Sequence, residues 1–97
     1  MAGRTHGSAY LTASGSVGVA SKPKMVYAAH IISTGGGASV LTLKNNGTGG
    51  TIYITGTGTT SQGITFNFGE GFFFPTDCFF TAGANLTSVL ISYEEYA

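Results

Sequence analysis

The chain has 97 residues, of which only 8% are charged, four Lys/Arg against four Asp/Glu, giving a formal net charge of zero. That balance excludes the basic footprint of a nucleic-acid binder, and the length supports one domain with one modest core. Soluble domains usually carry about a quarter charged residues, so a surface this poor in charge is expected to be covered, by further copies or by a larger assembly.

Residues 1–7 (MAGRTHG) show no alternation and read as a flexible N-terminal arm, leaving 8–97 as the folded domain. Residues 8–13 give a first short strand, and 17–20 an edge segment after the break at Ser14-Gly15-Ser16. Pro23 then stops pairing, because proline has no N–H to donate to a ladder. The strongest strand signal is 25–33 (MVYAAHIIS), apolar on both faces, with β-branched Ile31-Ile32 before a glycine-rich turn at 34–37.

Residues 39–44 (SVLTLK) follow and end in Asn45-Asn46-Gly47, a turn signal because Asn and Gly tolerate positive φ. Residues 51–55 (TIYIT) alternate, with Ile52 and Ile54 on one face, before a polar loop at 56–63. Residues 64–68 (ITFNF) alternate again, Gly69-Glu70-Gly71 reads as a turn, and Phe72-Phe73-Phe74 leads to a proline turn at 75–77. Residues 78–81 and 88–93 complete seven or eight short strands with no helical stretch. This spacing predicts an all-β fold, a single antiparallel β-sandwich or small jelly roll.

The expected core is Ile31, Val40, Leu41, Leu43, Ile52, Ile54, Ile64, Phe66, Phe68, Cys78, Phe80, Val89 and Ile91. Side chains alternate along a strand, so Phe72, Phe73 and Phe74 cannot all enter it. At least one faces outward and, beside Phe79, forms an apolar patch of the kind that marks an interaction surface.

Groups for catalysis are few. His30 lies in an apolar strand and reads as structural, His6 lies in the arm, and Glu94-Glu95 point to opposite faces and read as a solvated end. Glu70 and Asp77 fall in turns, each expected to serve a local hydrogen bond. Two histidines are a weak metal constellation, and the glycine-rich loops lack the lysine and helix of a phosphate loop. A lone Cys78 among aromatics reads as a buried hydrophobe and allows no internal disulfide. The expectation is no enzyme, no catalytic residue, no cofactor and no metal. The apolar runs are too short for a helical membrane span, and no signal-like block follows the arm.

The strand VYAAHII after a lysine, TLKN before a glycine-rich loop, GTIYI, Phe74-Pro75 followed by Cys78, and TSVLISYEE are strand-and-turn patterns within residues 24–94. In them the chain resembles a group of small virion proteins of tailed bacteriophages, notably those infecting marine bacteria and cyanobacteria. The resemblance implies a β-sandwich structural protein of the virion, of the cement or decoration type, bound to the major capsid protein on the outside of the shell. A place in the tail or its fibres, as a structural or glycan-binding module with Tyr10, Tyr27, Tyr53, Tyr93 and Tyr96 as stacking candidates, stays open beside it.

Expected partners are the capsid (or a tail protein) and further copies in a homo-oligomer, without nucleic acid or membrane. The anchor expected from the residues themselves is Phe72, Phe73 and Phe74 with Phe79. The arm, with Arg4 and His6, lies outside the resemblance and is expected to clasp a neighbouring subunit.

Overall fold

A computed structural model describes residues 4–33, 39–58, 63–83 and 85–96. Eight strands are present: β1 (Arg4–Leu11), β2 (Gly15–Ser16), β3 (Lys24–Ser33), β4 (Ser39–Asn45), β5 (Thr51–Gly58), β6 (Gly63–Phe74), β7 (Cys78–Ala82) and β8 (Leu86–Tyr96). They form two four-stranded sheets, ordered β1-β8-β3-β6 and β2-β7-β4-β5, and each pairing is antiparallel. The chain is a small all-β sandwich, as its strand spacing predicts. The turn at 34–37 lies outside the described residues.

The core fills the space between the sheets. From the first sheet come Val26, Ala29, Ile31, Val89, Ile91 and Phe74; from the second come Leu41, Leu43, Cys78 and Phe80, with Val17 just beyond β2. Each such burial contributes about 1.5–3 kcal/mol, largely offset by chain entropy. Strand β3 sits between β8 and β6; the second sheet covers its inner face, whereas its outer face carries Met25, Ala28, His30 and the exposed Ile32, so the expectation of burial on both faces holds for the inner one. A bulge at Tyr27 shifts its phase, so Val26 and Ala29 both point inward.

Two expected core residues are outside it. Val40 neighbours the inward Leu41 and therefore faces solvent. Ile52 is exposed because the β4–β5 ladder shifts between Leu43 and Lys44: Leu43 faces Ile54, Lys44 faces Ile52, and Tyr53 is the extra residue. Ile52 and Ile54 thus fall on opposite faces.

Residues 4–7, expected in a flexible arm, instead form the first half of β1 and pair with Tyr96, Glu95, Glu94 and Tyr93. Their pairing needs only backbone groups, so no side-chain alternation announced it. Gly7 has a packing role here, since a Cβ would come within 2.7 Å of the Tyr93 ring. Residues 69–71, read as a turn, lie within β6: the β3 ladder passes from Phe72 to Asn67, and the chain between them bulges out. Gly69 and Gly71 adopt φ of 64° and 113°, open to glycine at little cost.

Two polar clamps tie the loops. Asp77 Oδ1 accepts from the N–H groups of Asn46 (2.9 Å) and Gly47 (3.0 Å), and Oδ2 from Ser21 (3.1 Å). Asn45 Oδ1 returns the contact by accepting from Thr76 N–H at 2.8 Å. Asp77 therefore joins three separate segments rather than serving a local bond. At the other clamp Lys24, fully buried, donates to the carbonyls of Val19 (2.6 Å) and Lys22 (2.5 Å) and lies 3.3 Å from Glu95 Oε1.

Candidate interaction surface

The expected anchor residues do not form one ridge. Phe72 and Phe74 point to the inner side of β6, where they meet Tyr53 of β5: Tyr53 stacks on Phe74 at 5.3 Å and meets Phe72 edge-on at 5.9 Å. Because β6 and β5 are the outer strands of their sheets, this trio closes one side of the sandwich. Phe74 is fully buried and cannot be a surface anchor; Phe72 remains at the rim, partly exposed.

Phe73 points the other way, out of the first sheet, with 45% of its surface exposed and its ring edge-on to Tyr96 at 5.8 Å. Phe79 is half-buried on the outer face of the second sheet, opposite Lys44 and Ser16. Of the proposed ridge, Phe73 alone belongs to the first sheet's outer face.

Register builds that face in rows, because directly opposed residues share a side. One row reads Tyr10, Leu90, His30, Thr65; the next Ser8, Ser92, Ala28, Asn67; a third His6, Glu94, Met25, Phe73. Arg4 takes the register position opposite Tyr96.

Several polar groups on this face are engaged with one another. Glu94, only 5% exposed, lies 3.1 Å from His6 Nε2, and accepts from the hydroxyls of Tyr27 (3.1 Å) and Tyr96 (3.4 Å). His30 Nδ1 sits 2.7 Å from Thr65 Oγ1. Exposed on this face are the apolar side chains of Tyr10, Leu90, Ile32 and Phe73, with the polar Ser8, Thr65, Asn67 and Ser92 among them.

Glu94 and Glu95 do point to opposite faces, as alternation requires, but neither is the solvated end expected of them. Glu95 turns inward to Lys24 and accepts from Val19 N–H at 2.7 Å. Burial raises its pKa, yet the Val19 N–H and the Lys24 ammonium outweigh burial and hold the carboxyl below its ordinary value.

Leu90 and Ile32 were legible as outward residues from alternation with Val89, Ile91 and Ile31; Tyr10 was visible as an aromatic, but not its position. Of the other tyrosines, Tyr53 and Tyr93 pack against the core, and Tyr27 and Tyr96 bind Glu94.

The arrangement is an outer sheet face bearing exposed apolar side chains. Among the described residues there is no pocket, and no group of three or more His, Cys, Asp or Glu is placed to hold a metal. Burial pushes the Cys78 thiol up to about 12, with Lys24 opposing and Asp77 reinforcing the shift, so it stays protonated at neutral pH and is a poor nucleophile. No protein-family model, no curated protein and no solved structure matches this chain.

Proposed function

We propose that the chain is a non-enzymatic structural protein of a bacteriophage particle, a decoration protein that docks on the assembled capsid and stabilises it. The supporting observation is the outer face of the first sheet, where Tyr10, Leu90, Ile32 and Phe73 stay exposed while Glu94 is held by His6 and Tyr27 and His30 by Thr65. Covering these apolar side chains on a partner removes them from water, which favours docking. Binding only the assembled lattice favours that state by mass action, and repeated shell sites add weak contacts through multivalency.

Among Phe72, Phe73, Phe74 and Phe79, the anchor on this face is Phe73. Phe73→Asp places a carboxylate on the outer face without touching the buried core, so the variant is expected to keep its thermal transition within a few degrees. In co-sedimentation with assembled shells it is expected to lose at least about tenfold in affinity. A variant that binds shells as tightly as the parent would remove Phe73 from the contact and with it this docking face.

A further inference from the structure

Two sheets end in four strand edges: β1 and β6 in the first, β2 and β5 in the second. An unpaired edge offers backbone N–H and C=O groups to any extended segment, and proteins blunt such edges with bulges, charges, prolines or brevity. Three of these edges are blunted. β2 has two residues. β5 slips register beside Tyr53. β6 bulges through Gly69 and Gly71, with Glu70 between them.

β1 is different. It runs Arg4–Leu11 opposite Tyr96 through Val89 without a shift, holds no proline, and has Arg4 and His6 as its basic residues and no acidic one. We infer that β1 docks on the β1 of a second copy, joining two first sheets into one continuous eight-stranded sheet about a two-fold axis.

The symmetry limits the register. Antiparallel strands related by a two-fold axis normal to the sheet must set outward residues opposite outward residues, so the axis passes through a residue. Centring on Ser8 sets Tyr10 opposite His6 of the second copy, twice over. Tyr10 is 65% exposed and the His6 side chain 80% exposed, and this register packs the two side by side on the outer face, which stays open above them. Centring on Gly7 sets His6 against Ser8 instead. The Ser8 register is therefore the one the side chains favour.

A second copy suits the edge in its charge as well. The chain has no net charge, so two copies approach without long-range repulsion. Pairing along an eight-residue strand is a small contact, so the dimer is concentration-dependent and gains strength when many copies share one lattice.

Ser8→Cys tests it. Opposed strand residues lie about 4.5–5.5 Å apart at Cα, within the span of a disulfide, whereas Cys78 is buried and does not compete. Under mild oxidation the Ser8→Cys chain is expected to form covalent dimers at least about tenfold faster than a Tyr10→Cys chain, whose two sulfurs would lie four residues out of register.

Sedimentation equilibrium of the unmodified chain should show a monomer–dimer equilibrium. Should Ser8→Cys fail to fold, the His6→Cys/Tyr10→Cys double variant reports the same register by the same readout. Equal crosslinking rates, or a chain that stays monomeric up to about 1 mM, overturn the inference. It deepens the assembly reading yet fails separately from it: a monomer that binds shells removes only the dimer, and a dimer indifferent to shells removes only the docking.

Discussion

Replacing Phe74 by alanine is expected to cost about 3–5 kcal/mol of folding stability and to lower Tm by more than about 15 °C. The ring is fully buried, stacked on Tyr53 at 5.3 Å and packed beside Phe72 at 5.6 Å. It lies where the outer strands β6 and β5 bring the two sheets together, and deleting it opens a cavity there. Relaxation around such a cavity is only partial, which is why the loss exceeds the transfer free energy of the missing atoms.

Phe73, its neighbour in sequence, points outward, 45% exposed, with its ring edge-on to Tyr96, so Phe73→Ala is expected to cost less than about 1 kcal/mol. Urea titration followed by circular dichroism compares the two. Equal losses would mean that the alternation of inward and outward rings in β6 is wrong.

Glu95→Ala is expected to cost about 3 kcal/mol, the low end for breaking a buried ion pair, because one edge of the carboxylate meets water. The change leaves the Lys24 ammonium fully buried with two carbonyls and no counter-charge, and it frees the Val19 N–H. The sign of the pH effect follows from the lowered pKa of Glu95. Its contribution is present above the unfolded value of 4.5 and is lost as pH falls through the lower folded value. Melting curves from pH 7 down to about pH 3 should show the parent losing stability relative to the variant, so that the gap between them narrows. A gap that stays constant across this range would separate Glu95 from the acid response.

Much of the fold was legible because its central strands carry the local signals that build it. β-branched Ile31-Ile32 and the alternating 39–44 segment fall in strands, and Asn46 and Gly47 take the positive φ of 78° and 75° that their turn demands. What escaped was whatever backbone hydrogen bonding or a bulge decides. Residues 4–7 pair with β8 through main-chain groups that any sequence supplies. The extra residues Tyr27 and Tyr53 each shift a strand's phase, and the shift at Tyr53 leaves Ile52, before it, exposed where alternation with Ile54 placed it in the core.

The candidate surface was legible to a lesser degree. Alternation required the three phenylalanines to divide between faces, and they do, but which ring is buried depends on β5 lying across from β6. Glu95 could not be matched to Lys24 from the sequence, because the pair forms only through the β3–β8 ladder. The first sheet's outer face likewise collects residues from β1, β3, β6 and β8, which no local window contains.

Quantitative mass spectrometry of purified phage particles, counting copies of this chain against the major capsid protein, tests the central claim most directly. The decoration reading predicts copies in number comparable to the shell's repeating sites. A handful per particle would move the chain to the tail, and its absence from particles would contradict a virion role altogether.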